Sequence, residues 1–187
     1  MYAPLPPEAM VKQLMRSYVS GKGQLGDDGL SSKVFIVDGK ALAKLNFLKR
    51  NVHEYFLAKW INSVGGINVP IMHGVFPCRA SSAALGMPGD DNLDSYLFMQ
   101  RLHGAYVNKV ERKYMKSIVS QYRGAVKRMV ELRVYPGDIG GPNMIYVKRN
   151  DRLYFIDFEY WARGKKSSEE LRETLDRHIK HPEEVLF

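Results

Sequence analysis

One cysteine, Cys78, stands in 187 residues. A lone thiol cannot close an internal disulfide, so the fold has no covalent staple, and the scarcity suits a reducing compartment. Long apolar runs are missing as well. None approaches the roughly 18–20 residues that a helix needs to cross a bilayer. The opening MYAPLPPEAMVKQLMRSYVS lacks the basic and apolar regions of a secretory signal. A soluble, cytoplasmic protein without a membrane partner is the expectation. Acidic side chains are in the minority, 20 against 28 Lys and Arg. The resulting net charge of +8 favours polyanions, among them nucleotide phosphates, nucleic acid and acidic proteins. No internal repeat or low-complexity tract occurs.

Apolar residues are 45% of the chain and charged residues 26%, which excludes wholesale disorder. The length fits one domain, or two small lobes sharing a cleft. Along the chain, a short amphipathic stretch at residues 11–18 reads as a helix, and GKGQLGDDGLSSK as a Gly-rich loop. KVFIVDGKALAKLNF predicts two strands around an Asp38-Gly39 turn. Leu48, Val52, Tyr55, Phe56 and Trp60 fall at helical spacing and predict a buried stripe, with VGG ending the helix. NVPIMHGVF and SYLFMQRL read as two more strands, separated by a loop over about residues 79–93. Met115, Ile118, Tyr122, Val126 and Met129 line one face of a helix over about residues 113–132. A hairpin around Asn150-Asp151 follows, and then a helix with a Ser167/Glu170 capping box and a buried stripe of Leu171, Leu175 and Ile179.

Between the long helix and the last hairpin lies YPGDIGGPNMIYV, too rich in Gly and Pro for a helix or a strand interior. It sets Asp138 and Asn143 five positions apart. Asp157 comes fourteen positions later, flanked by Phe155, Ile156 and Phe158, where an unpartnered carboxylate is costly to bury. Lys44 sits on the second hairpin strand. Glu54 is the one acidic residue between Asp38 and Asp90, so a helix packed on the sheet makes it the natural partner of Lys44. Such a pair would order the lysine to grip phosphate oxygens as a point charge. Taken singly, each residue has a plainer reading: a strand lysine, a solvated glutamate, turn formers bonding their own backbone. GKGQLG alone fits a phosphate-binding loop, a dinucleotide fingerprint or an ordinary turn.

In order and together, these motifs resemble the protein-kinase-like superfamily over about residues 20–160. The resemblance implies an α+β, bilobal kinase-like fold in one domain, 1–187. Its small β-rich N-lobe would cover about residues 1–100, and its reduced, mostly helical C-lobe about 101–187. It implies ATP and Mg2+ as cofactors. Gly21, Gly23 and Gly26 would cover the nucleotide, with Leu42, Lys44 and Glu54 on the strand and helix, and Met99, Gln100 and Leu102 meeting the adenine. Asp138 and Lys44 would be catalytic, Asp138 accepting the proton of the attacking hydroxyl. Asn143 and Asp157 would hold the metal.

Departures from the family pattern carry information. Pro136 and Gly137 stand where ordinary protein kinases have His and Arg, so nothing pairs with a phosphorylated activation loop and constitutive activity is implied. Gly140 replaces a lysine that steadies the transferred phosphate. Glu159 replaces the Gly of the metal motif, as in choline and aminoglycoside kinases. Thirty residues follow Asp157 without an APE segment. The chain is similar to minimal atypical kinases, among them the HopBF family of type III effectors. That likeness implies a serine/threonine protein kinase secreted into a host cytosol, with the host ninety-kilodalton heat-shock chaperone as its protein substrate. A small-molecule kinase and a pseudokinase binding module are the alternatives.

Two other groups of residues read as ordinary structure. Of His53, His73, His103, His178 and His181, only the last two share a helical face, without Cys nearby, which favours surface or packing roles over zinc. Lys109, Arg112, Lys113, Lys116, Arg123, Lys127 and Arg128 read as the solvated face of a helix with no interleaved aromatics, so nucleic acid is an unlikely partner. Trp60 reads as core.

Overall fold

The computed structural model describes residues 33–37, 41–78, 94–164 and 168–186. The segment 11–18, Gly21, Gly23 and Gly26, the Asp38-Gly39 turn, the loop 79–93 and the side chains of Ser167, Glu170 and Leu171 lie outside the described residues. The chain divides into two compact units, Met1–Phe56 with Ile71–Arg101, and Leu57–Pro70 with Leu102–Phe187.

The first unit is built on a four-stranded antiparallel sheet of order β1-β2-β4-β3. Its strands are β1 (Lys33–Ile36), β2 (Ala41–Phe47), β3 (Met72–Cys78) and β4 (Asp94–Gln100). Opposite partners in such a sheet share a face, and the face alternates along each strand. Phe35, Ala43, Leu45, Tyr96 and Phe98 are thus one buried aromatic and aliphatic layer, with Phe35 edge-on to Tyr96 at 6.2 Å and Phe76 edge-on to Phe98 at 5.2 Å. Lys44 pairs with Val34 on one side and Leu97 on the other, so it lies on an interior strand.

Helix α1 (Leu48–Val64) follows β2 directly and ends at Gly65, whose φ of +69° suits a residue without a side chain. Its periodicity is helical, yet the buried stripe is not the one the apolar pattern predicts. Asn51, Glu54, Leu57, Ala58 and Ile61 are buried, whereas Phe56 is 64% exposed and Leu48, Val52, Tyr55 and Trp60 are half-buried. Two polar residues take the buried face because each finds partners there. Trp60 is not core either; the Arg163 guanidinium stacks over its ring at 4.1 Å.

In the second unit, β5 (Ala105–Tyr106) precedes two 3-10 turns, Val107–Lys109 and Arg112–Tyr114, and then α2 (Met115–Leu132). The predicted start at residue 113 falls in the second of those turns. Ile118, Tyr122, Val126 and Met129 of the expected stripe are buried along α2, joined by Ala125, whereas Met115 at its start is half-buried. Arg133, left-handed at φ 52°, ends the helix and turns the chain into β6 (Val134–Tyr135). Next come β7 (Met144–Val147) and β8 (Arg152–Phe155), the predicted hairpin, with Asp151 left-handed at its turn. Strands β5, β7 and β8 form one sheet, while β6 pairs with β9 (Ala162–Arg163). Helices α3 (Ser168–Lys180) and α4 (Glu183–Leu186) complete the unit.

The hairpin is fastened to α2 by polar contacts. Ser117 and Tyr146 both donate to the Asp151 carboxylate, at 2.7 and 2.5 Å, and Gln121 accepts from the Leu153 amide at 2.8 Å. Tyr122 stacks on Phe155. Helix α3 lies on α2, and Leu175 and His178 on it are buried. His178 is buried where Ile179 was expected, Ile179 being half-buried, and its Nδ1 meets the Tyr122 hydroxyl at 3.2 Å. No described helix is long and apolar enough to cross a membrane.

Candidate active site

In the first unit the candidate residues converge on one face of the sheet. Leu42 and Lys44 are two apart on β2, and their partners across the ladder are Met99 and Leu97 of β4. The Lys44 ammonium donates to Oε2 of Glu54 at 2.8 Å, with the residues 4% and 1% exposed. An ion pair in a dry setting keeps its geometry because neither charge has water to turn to. Gln100 follows Met99; its amide donates to the Ile71 carbonyl at 2.8 Å, and its side chain accepts from the Ile71 amide at 3.2 Å. Leu102 lies past the end of β4, in the second unit.

Sequence reasoning passed over Asn51. It is fully buried, and its amide nitrogen reaches the carbonyls of Ser95 at 2.9 Å and Lys44 at 3.3 Å, together with the Ser95 hydroxyl at 2.9 Å. The backbone of the strand that bears Lys44 is thereby pinned to the helix that bears Glu54. The signal was present, since Asn51 is three residues before Glu54, on the same helical face.

In the second unit, Asp138 and Asn143 occupy the connection between β6 and β7. Gly141–Asn143 is a 3-10 turn with Pro142 near its start, where a missing N–H is harmless. Asn143 is bonded three ways: its amide N–H to the Gly140 carbonyl at 2.9 Å, its side-chain nitrogen to the Asp138 carbonyl at 3.4 Å, and its own carbonyl to the Ile156 N–H at 3.0 Å. The last bond extends the β7–β8 ladder by one step. It brings Asn143, at the entry to β7, and Asp157, just past β8, to the same end of the hairpin. Asp157 is half-buried, less enclosed than its apolar neighbours implied, and has a left-handed φ of 62°. Phe155 and Phe158 on either side are buried and both pack edge-on against Trp161. A non-glycine residue held left-handed between two anchored aromatics is strain of the sort that functional loops retain.

Glycine is required in the Asp138 loop by close approach. A Cβ on Gly137 would collide with the Tyr160 carbonyl, and one on Gly141 would lie 2.5 Å from the Leu186 carbonyl and 3.2 Å from Asn108 Cβ. The arginine missing at position 137 is therefore excluded by packing.

Magnesium takes one or two protein oxygens and completes its shell with water and phosphate. The Asp157 carboxylate and the Asn143 side-chain amide oxygen are a donor set of that kind. Among the described residues no three His, Cys, Asp or Glu side chains cluster as a closed cage. His178 is engaged with Tyr122 rather than poised for zinc. Aromatics do lie among the basic residues: the Lys109 ammonium is 5.9 Å from the Tyr106 ring, and those of Lys113 and Lys148 are 5.1 and 5.2 Å from Tyr114. Glu111 neutralises both of the latter lysines, at 2.8 and 2.5 Å, and these bonds hold its carboxyl down at about 2.

A small antiparallel sheet with a buried Lys–Glu pair, and a largely helical part bearing an Asp–Asn loop and a hairpin, define a protein-kinase-like fold of mixed α and β structure. Solved structures share it, and two of them show how far. The Cydia pomonella granulovirus kinase PK-1 matches with a TM-score of 0.54 and 16% identity, over 84% of this chain and 60% of the viral kinase. WaaP, solved in complex with acyl carrier protein, matches with a TM-score of 0.56 and 12% identity, over 89% of this chain and 72% of WaaP. In sequence, 74 residues are 30% identical to the isocitrate dehydrogenase kinase/phosphatase of Photorhabdus laumondii, a stretch covering 38% of this chain and 12% of that relative. No protein-family model matches the chain.

Proposed function

We propose that this protein is an ATP- and Mg2+-dependent phosphotransferase that moves the γ-phosphoryl group of ATP to the hydroxyl of a protein serine or threonine, in one kinase-like domain. The observation that carries the reading is the dry Lys44–Glu54 pair at 2.8 Å on the strand opposite Met99. A lysine fixed in this way offers a positive point to phosphate oxygens at little cost in side-chain entropy. Leu42 and Met99 supply apolar surface for the adenine, with Gln100 and Leu102 beyond it. Gly21, Gly23 and Gly26 are assigned to the triphosphate. Asn143 and Asp157 would hold magnesium, which when bound neutralises charge on the phosphates.

Asp138 is exposed on its loop, its backbone fixed by Asn143. It accepts the proton as the acceptor oxygen bonds to the γ-phosphorus and the bond to the β-phosphate oxygen breaks, releasing ADP. Catalysis of this kind rests on placement and electrostatics. With Gly140 in place of a phosphate-steadying lysine, neutralising that charge falls to Lys44 or to magnesium.

Labelled ATP incubated with bacterial and eukaryotic lysates tests the reading. Label should enter protein bands, and Asp138→Ala should abolish it; transfer by that variant at the wild-type rate overturns the assignment. The finer reading, an effector acting in a host cytosol on the ninety-kilodalton heat-shock chaperone, requires label in eukaryotic lysate only. Glu159 favours a second reading, a small-molecule acceptor, in which label appears on choline or an aminoglycoside and not on protein. Magnesium-dependent ATP binding without any transfer would make the protein a binding module.

A further inference from the structure

The loop bearing Asp138 and Asn143 is held from a second side by residues far along the chain. The carbonyl of Leu186 lies 2.5 Å from where a Cβ on Gly141 would be, and the Val185 carbonyl is 3.9 Å from the corresponding position on Gly140. Leu186 is fully buried. Its own turn is closed by the Pro182 carbonyl, which accepts from the amides of Val185 at 3.2 Å and Leu186 at 3.0 Å. Behind it, α3 is fixed to α2 by Arg123 Nε donating to the Ile179 carbonyl at 3.0 Å and by the Tyr122–His178 contact. A continuous series of contacts thus runs from the core of the second unit, through α3 and residues 182–186, to Gly141.

We propose that residues 182–186 are the seat that positions the Asp138–Asn143 loop, with Leu186 as the positioning residue, so that seating or unseating α4 switches the site through its turnover rather than its nucleotide affinity. The inference rests on the role assigned to Asp138 and Asn143. The physical basis is that this loop makes few bonds of its own. Asn143 supplies those named above, and a loop rich in glycine spends much chain entropy in holding one conformation. A buried side chain, Leu186, anchoring a carbonyl against Gly141 removes the space into which the loop would otherwise relax. Asp138 must be placed to within a fraction of an ångström for proton transfer, whereas the sheet residues assigned to the nucleotide belong to the other unit.

Two variants of the full chain test this, Leu186→Asp, which unseats α4, and Gly141→Ala, which leaves α4 intact and pushes the loop off it. Gly124→Ala, at a position with nothing within 4 Å, is the control. Amide hydrogen exchange over residues 138–147 should rise at least about tenfold in both variants while exchange in α2 stays at the wild-type level. Phosphoryl transfer should lose roughly ten- to a hundredfold in kcat with KM for ATP within about twofold, and Leu186→Met should restore both readouts. Unchanged loop exchange in both variants, or exchange rising equally in α2, overturns the seat. Exchange decides the matter without any activity, so a wild-type protein that transfers no phosphate defeats the assigned function and leaves this inference to its own result.

Discussion

The Lys44 ammonium and the Glu54 carboxylate meet at 2.8 Å with almost no exposure, joining an interior strand to the helix that follows it. Removing one partner takes from the other, in a buried setting, the opposite charge it meets at 2.8 Å. Lys44→Met and Glu54→Leu should each destabilise the protein by about 3–5 kcal/mol, and the double variant by clearly less than their sum. Urea unfolding of the three variants checks this. Additive losses would show that the two charges are not coupled.

Asp157 holds a left-handed backbone that asparagine tolerates and β-branched residues do not. Asp157→Asn should therefore melt within about a degree or two of wild type yet lose phosphoryl transfer, because an amide is a poor substitute for a carboxylate on a divalent cation. Asp157→Val should lose about 1–3 kcal/mol of stability as well. Thermal melts beside a transfer assay separate the two effects.

The same substitution should have opposite signs at two glycines. Gly124 lies exposed on α2 with open space around it, so Gly124→Ala should stabilise by about 0.5–1 kcal/mol. At Gly137 a Cβ meets the Tyr160 carbonyl, and Gly137→Ala should destabilise and displace Asp138, the next residue. Chemical denaturation reads both, and a stabilised Gly137→Ala would contradict the packing described.

Burial, and secondarily the neighbouring Arg177 charge, hold the His178 imidazole below its ordinary value of 6.5. The unfolded chain then takes up a proton that the folded chain resists. Folding stability associated with His178 is complete above about pH 6.5 and is lost as pH falls from there through the lower folded value. His178→Gln should flatten the slope of stability against pH in that window. An unaltered slope in the variant would assign it to another group.

Much of this molecule was legible because its signals are local. Strand and helix spacing, the hairpin chemistry at Asn150-Asp151 and the glycine stop after Val64 each depend on neighbours within a few residues. The Lys44–Glu54 pair was legible for a different reason, since only one carboxylate lay within reach along that stretch. The orientation of α1 was not. Its apolar stripe ends up half-buried or exposed because Asn51, bonded through its amide nitrogen, and Glu54, paired with Lys44, claim the buried face; a hydrophobic pattern cannot register hydrogen-bond partners that arrive from Ser95, 44 residues away.

By itself the sequence determined strands β1 to β4, the β7–β8 hairpin and helices α1 to α3, and which oxygen-bearing side chains occupy irregular loops, since these follow from torsional preference and short-range periodicity. The tertiary structure alone decided that Gly137 and Gly141 must stay glycine, that His178 sits in the core, and that Asn143 ties the Asp138 loop to the strand before Asp157. Each of these depends on atoms brought together from distant parts of the chain, as when the Leu186 carbonyl closes on Gly141. Close packing is a property of the folded interior, and no window of residues encodes it.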